Sequence, residues 1–221
     1  MPSGVNHESA GRTRAYDSSR RRAQAANSRR GILAAAQRLF SEQGYAATTM
    51  AEIARAAGVS LKTVYLAFET KGGLIRALWD LALRGEPDIA VAEQPWYRAV
   101  LDEPDPERKL RITAANSRAV KARIGGVLAV IRGSAPADPD LAALWSLIQA
   151  DFHANQRVIV QQLYDAGALR PDLTVEQATD ILWTLNHPDV WLLLVGARGW
   201  TPEEWETWFG DSACGQLLKK S

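Results

Sequence analysis

The run from Thr48 to Tyr65 constrains this chain more than any other. Thr48-Thr49 stands directly before Met50, Ile53, Ala54 and Ala57, which fall at i, i+3, i+4 and i+7 on one face of a helix. Glu52 lies three residues after Thr49, the spacing of a capping box in which hydroxyl and carboxylate satisfy each other's backbone amides. Gly58 then lets the chain turn, Val59 plugs the corner, and Ser60 caps a third short helix through Tyr65. Two short helices about a tight turn containing glycine form a helix-turn-helix.

The flanking sequence supplies helices on both sides. Arg20, Arg21, Arg22, Arg29 and Arg30 lead into the stripe Ile32, Leu33, Ala36, Leu39 and Phe40, which Gly44 stops; Asp17, Ser18 and Ser28 are each possible caps at its start. Lys71-Gly72-Gly73 opens a fourth helix with Leu74, Ile75, Leu78 and Leu81 on its apolar face, running to about Arg84. Gly85-Glu86-Pro87-Asp88 breaks the pattern. Beyond it, Glu107 to Ile131, Leu141 to Ala166, Val175 to Asn186, Asp189 to Val195 and Pro202 to Leu218 read as helices, and no stretch of alternating polarity suggests a strand. The reading is an all-α protein of about nine helices. Its parts are a disordered tail over residues 1–17, a helix-turn-helix domain over 18–84 and a larger helical domain over 85–221.

Charge divides at the same place. Residues 1–84 hold thirteen Lys or Arg against six Asp or Glu, a net +7, while the remainder carries −6, so the overall +1 hides an asymmetry. A basic first part beside an acidic second one suggests that only the first meets a polyanion, because neutralisation of phosphates drives nucleic-acid affinity. No apolar run is long enough for a membrane span or a signal peptide, so a cytoplasmic location and no membrane partner are expected. One cysteine, Cys214, and three scattered histidines hold no metal-ligand spacing, and nothing implies a cofactor. The best catalytic combination, Cys214 with His187 and Asp211, has no supporting base or oxyanion spacing; no catalytic residue is assigned and the chain is not read as an enzyme.

The continuous run Gly44-Tyr45-Ala46-Ala47-Thr48-Thr49, through Ile53-Ala54-Arg55-Ala56-Ala57-Gly58-Val59-Ser60, to Thr63-Val64-Tyr65-Leu66-Ala67-Phe68-Glu69-Thr70-Lys71 closely resembles the DNA-binding signature of the TetR family of transcriptional regulators. Lys62 stands where such proteins usually have Gly, and Ala67 replaces an aromatic or His; both departures touch operator contacts rather than the fold. The resemblance implies a homodimer on a palindromic double-stranded operator, usually as a repressor, with a larger helical domain that binds a small molecule and dimerises through its last two helices.

A recognition helix needs exposed side chains able to reach base edges and an apolar face that fixes its pose. Val59, Val64 and Phe68 suit the buried face, leaving Leu61, Lys62 and Thr63 exposed; Lys62 suits a guanine edge, and Leu61 or the Thr63 methyl a thymine methyl. Thr49, Ser60, Tyr65 and Lys71 are placed for phosphates, and Arg29 and Thr48 join the DNA-facing set. Plain helix capping competes for Thr49 and Ser60, and a core-edge role for Tyr65. The Arg20 to Arg22 run reads equally as a DNA-following arm or a solvated charge run.

In the second part, aromatic and embedded polar residues outline a small-molecule site: Asn116, Arg123 and Trp145, then Gln156, Trp183 and His187, for an apolar or aromatic effector. Core filling competes for each tryptophan. Ile181, Leu182, Leu185, Trp205, Trp208, Phe209, Leu217 and Leu218 carry more apolar surface than two terminal helices need, which points to a four-helix bundle with a second copy. The family resemblance further implies that ligand entry swings the fourth helix, Lys71 to Arg84, and changes the spacing of the two DNA heads. Alternatives are a DNA-binding regulator answering to a protein partner instead of a small molecule, and a non-specific architectural DNA-binding protein, which the acidic second part disfavours.

Overall fold

A computed structural model describes residues 9–84 and 91–219. The chain forms two compact units, Met1–Ala77 and Leu78–Ser221. Among the described residues there is no strand, only one isolated antiparallel bridge between Leu169 and Leu218, so the all-α reading stands.

The first unit begins with α1, Ser9–Ala47, whose helical backbone is interrupted at Gly44 (φ 82°), the residue expected to stop it. The helix starts within the stretch read as a tail; Met1 to Glu8 lie outside the described residues. Ala and Arg are both good helix formers, so the Arg- and Ala-rich run before Ile32 extends the helix well ahead of its apolar stripe. Helix α2, Met50–Ala56, starts on the Thr49–Glu52 capping box: Thr49 Oγ1 accepts from the Glu52 amide at 3.2 Å, and Glu52 Oε2 accepts from the Thr49 amide at 2.8 Å. Gly58 turns the chain at φ 67°, a conformation that L side chains rarely adopt. Helix α3, Leu61–Phe68, is capped by Ser60 and runs three residues past Tyr65, because Val64 and Phe68 both bury against the unit's core. That core gathers Ile32, Ala36 and Phe40 with Ile53, Val64, Phe68, Leu74 and Ile75, each large apolar side chain worth roughly 1.5–3 kcal/mol of burial.

Helix α4, Lys71–Arg84, starts in the first unit and ends in the second. The packing boundary therefore falls inside a helix, seven residues before the boundary read from the sequence; Gly85 to Ala90 lie outside the described residues. The second unit continues with α5, Pro95–Asp102, which the sequence reading missed because its single buried pair, Tyr97 and Val100, is too short a pattern to register. Then come α6, Pro106–Ser134, α7, Pro139–Asp165, and α8, Val175–Leu185. Helix α9, Pro188–Trp191, runs into one π-helical stretch, Leu192–Ala197, and α10, Pro202–Leu217, ends the set. Helices α6, α7, α8 and α10 enclose a core of Leu110, Ala114, Ile159, Leu163, Leu182, Trp205, Phe209 and Leu217.

This burial corrects one argument for dimerisation. Leu182, Trp205, Phe209 and Leu217 are fully buried within the chain itself, leaving Ile181, Leu185, Trp208 and Leu218 half-buried at the core's edge. No helix of the described residues is long and apolar enough to cross a membrane.

Candidate functional site

In the first unit, the short α3 presents Leu61, Lys62, Tyr65 and Leu66 on one exposed stripe at i, i+1, i+4 and i+5. Leu61 is 41%, Tyr65 48% and Leu66 77% exposed, opposite the buried Val64 and Phe68. Leu66 was missed by the sequence reading, although the same helical spacing that exposes Leu61 and Lys62 continues to it. Thr63 is half-buried, and its amide and hydroxyl both bond to Ser60 Oγ, at 3.1 and 2.8 Å.

The remaining first-unit candidates separate by burial. Thr49 and Ser60 are exposed caps, so their hydroxyls serve the helix starts and still face solvent. Thr48 is fully buried: its hydroxyl donates to the Gly44 carbonyl at 2.7 Å and accepts from Gln43, which fixes the turn before α2 and takes it out of reach of a DNA surface. The Lys71 ammonium lies 4.1 Å over the Tyr45 ring and donates to the carbonyls of Tyr45 and Thr48 at 2.9 and 3.1 Å. It ties the start of α4 to the turn before α2. Arg29 donates to the Ala67 carbonyl at 3.1 Å and stacks 4.4 Å over Phe68, so it braces the end of the exposed helix. The side chains of Arg20 and Arg21 lie outside the described set.

The second unit holds a cavity of about 150 Å³, close to the volume that accepts one aromatic ring. Trp79 and Leu83 of α4, Trp96, Tyr97 and Val100 of α5, and Val120, Ile124 and Leu128 of α6 form much of its apolar wall. Of the residues proposed from the sequence, Asn116 and Gln156 line it; Asn116 also donates to the Trp96 carbonyl at 2.6 Å, tying α6 to α5. Arg123 does not: it is exposed, because it lies one residue, and so about 100°, around α6 from Ile124 of the buried stripe.

Trp145, Trp183 and His187 form a separate aromatic group. The His187 ring lies 4.8 Å from Trp183 and 6.4 Å from Trp145. His187 Nδ1 accepts from the Asp189 amide at 3.1 Å as the cap of α9, which leaves Nε2–H to donate to Gln149 at 2.9 Å. Burial, with the nearby Lys121 and Arg132 charges, pulls the His187 pKa below its usual value against the opposing Asp189. The Cys214, His187 and Asp211 combination is not assembled: Asp211 pairs with Arg111 at 2.9 Å, His187 holds Gln149 and Asp189, and burial pushes the Cys214 thiol up.

In the second unit, sequence reasoning also missed Lys121. It is 5% exposed and lines the cavity, with its ammonium 2.5 Å from Asn186 Oδ1, 4.6 Å from the Trp205 ring and 5.7 Å from the Phe152 ring. Asn186 is oriented by its own amide, which donates to Ser117 at 2.9 Å and Gln156 at 3.4 Å. Burial alone lowers the lysine pKa to about 7. A signal for it existed: Lys121 interrupts the stripe Leu110, Ala114, Ile124, Leu128, Ile131 at helical spacing.

Comparison with known proteins agrees with this geometry. Residues 32–78 match the family described as bacterial regulatory proteins, tetR family. The transcriptional regulator ArpR of Pseudomonas putida is 28% identical over 183 residues, covering 79% of this chain and 85% of its own. NalD and SmeT are among the solved structures that share the fold. NalD, the secondary repressor of a multidrug efflux pump in Pseudomonas aeruginosa, superposes with a TM-score of 0.69 at 21% identity, over 90% of this chain and 99% of its own. SmeT, repressor of a Stenotrophomonas maltophilia efflux pump, seen in complex with triclosan, gives 0.69 at 18% identity, over 88% and 93%. The family match is centred on the capped turn and exposed stripe of α2 and α3, so residues 32–78 form a tetR-family helix-turn-helix domain, and over most of its length the chain resembles tetR-family transcriptional regulators.

Proposed function

We propose that this regulator is a repressor that binds a palindromic operator as a homodimer and is released by an apolar or aromatic small molecule held in the second unit. The observation that carries this reading is the course of α4. Its first residue, Lys71, is bonded to the turn that starts the helix-turn-helix, while Trp79 and Leu83 near its end line the cavity. A ligand that displaces either side chain acts on a helix whose other end is fastened to the DNA-reading unit. The efflux repressors NalD and SmeT, the latter with its bound triclosan, support ligand-controlled repression by analogy of fold.

On DNA, Leu61, Lys62, Tyr65 and Leu66 are the side chains placed to meet base edges and the adjoining backbone, with Thr49 and Ser60 near phosphates and Arg29, Thr48 and Lys71 positioning them. The dimer pairs through α8 and α10, using Ile181, Leu185 and Trp208. A ligand releases DNA only to the extent that it binds the DNA-incompetent state more tightly; a hundredfold loss of affinity needs about 2.7 kcal/mol of coupling.

The test is selection of duplexes from a random library with the full chain, repeated with Lys62→Ala and Leu66→Ala. A palindromic consensus is expected, relaxed in each variant at the bases opposite α3, with a loss of about 1–3 kcal/mol per base contact removed. Enrichment with no consensus overturns sequence-specific repression and favours architectural binding.

A further inference from the structure

Two lysines are buried on α6, and they are satisfied differently. The Lys109 ammonium donates to three oxygens, the carbonyls of Val100 and Leu101 at 2.7 and 3.1 Å and Gln162 Oε1 at 2.8 Å, which uses its full donor capacity. Lys121 has one acceptor among the described residues, Asn186 Oδ1. The Trp205 and Phe152 ring faces attract the cation without accepting its remaining N–H groups along a lone pair. Since Lys121 also lines the cavity, its unfilled donor positions and the space for an acceptor coincide.

The rest of the lining says which acceptor fits. Apart from Asp151, the other polar side chains of the lining are neutral, including Asn116, Ser117 and Gln156, set in an apolar and aromatic wall. Asp151, an exposed carboxylate at the lining, repels a second negative charge. A polyanion is thus disfavoured, whereas one carboxylate on a small apolar body would give the buried ammonium the counter-charge it lacks.

Resting on the reading of this cavity as the effector site, we infer that its ligand is an apolar organic monocarboxylic acid about the size of one substituted aromatic ring, whose carboxylate accepts from the Lys121 ammonium. Asn186, held by Ser117 and Gln156, positions that ammonium and is a positioning residue only. Binding requires the charged lysine, so the free protein takes up a proton as the acid enters. Other titratable groups on the packed elements are Tyr97 on α5, whose pKa burial raises, and His187 before α9, which burial lowers from 6.5. The charged Asp151, Asp189 paired with Arg132, and Glu206 paired with Arg118 lie on the neighbouring elements. Above about pH 7, His187 is neutral and Tyr97 protonated, which leaves Lys121 as the group whose titration the acid follows.

The experiment compares 4-ethylbenzoate with its neutral isostere 4-ethylbenzamide by calorimetry on the full wild-type chain and on Lys121→Met. Wild type is expected to prefer the acid at least tenfold near pH 7. The acid's Kd should then rise about fivefold by pH 8 and approach tenfold per further unit, while the amide's stays flat. In Lys121→Met both should bind within about twofold of each other and independently of pH, and continued binding of the amide shows that the variant is folded. Equal affinity of acid and amide in wild type, a preference that survives in Lys121→Met, or no binding of the acid at millimolar concentration overturns the inference. A parallel arm measures operator release. Release by the amide without preference for the acid leaves the effector reading standing and this inference fallen; binding of the acid through Lys121 with unchanged DNA affinity does the reverse.

Discussion

Lys121 costs this protein stability even without a ligand, and the size of that cost depends on pH. Its pKa falls from 10.5 to about 7 on burial, so between those values the unfolded chain binds more protons than the folded one and stability rises with pH. At and below neutrality the penalty is present in full. Lys121→Met replaces the cation with an apolar chain of similar length, and the thermal midpoint is expected to rise by several degrees at pH 7, an effect of order 2–3 kcal/mol that shrinks towards pH 10. An equal gain at both pH values would show that the lysine's charge is not what costs stability. Lys109→Met should do the opposite. It strips the Val100 and Leu101 carbonyls and Gln162 of their donor, and is expected to destabilise by about 2 kcal/mol or more in denaturant titration. Two residues of the same type on one helix thus act with opposite sign, and composition alone distinguishes neither.

At the scale of elements, the helix-turn-helix was legible because local chemistry specifies it: the Thr49–Glu52 box, the positive φ at Gly58 and the Ser60 cap each act within a few residues. What was not legible depends on partners distant in sequence. Nothing near Lys71 announces that it faces the carbonyls of Tyr45 and Thr48, 26 and 23 residues earlier, and nothing near Arg29 announces the Ala67 carbonyl 38 residues on. In the second unit the sequence reading chose polar and aromatic residues by type; Asn116 and Gln156 of that set line the cavity, Arg123 is exposed on α6, and Lys121, which lines the cavity, was passed over. The junction of α3 and α4 makes a further demand. Thr70 Oγ1 accepts from the Gly73 amide at 2.9 Å, capping α4, and a Cβ on Gly73 would stand 2.4 Å from the Phe68 carbonyl oxygen, the last residue of α3. Gly73→Ala must therefore push the exposed helix away from α4, at an expected cost of about 1–3 kcal/mol and with weaker operator binding. Gly31→Ala on α1, where a Cβ meets nothing within 4 Å, should instead add about 0.5–1 kcal/mol by helix propensity. Thermal midpoints and operator affinities of the two variants check the pair; loss of stability in both would point to tolerance of the backbone rather than the Phe68 contact.

For the whole molecule, the sequence marked the end of the basic region at Arg84, yet the compact units divide between Ala77 and Leu78, inside α4. Composition changes where a helix ends, whereas packing changes partners where side chains do, and along α4 the residue types on the two sides of that point are alike. The dimer belongs to the same scale. With Leu182, Trp205, Phe209 and Leu217 already buried in the chain's own core, the proposed self-association through α8 and α10 would rest on fewer residues than the sequence suggested, among them Leu185 and Trp208. Charging them has a specific consequence. Leu185→Glu with Trp208→Glu places like charges across a two-fold axis, and light scattering should show a monomer. That monomer keeps an intact α3 but meets one half-site alone, so it contacts about half as many phosphates. Because log Kobs falls with log salt at about −0.9 per phosphate neutralised, the slope of operator binding should halve along with a loss of affinity of a hundredfold or more. A monomeric variant that retained the full slope would mean that one basic unit already makes all the backbone contacts and that the +7 of residues 1–84 acts without its partner. A variant that stayed dimeric would move the interface away from these two side chains, towards exposed apolar positions such as Tyr164 and Leu193.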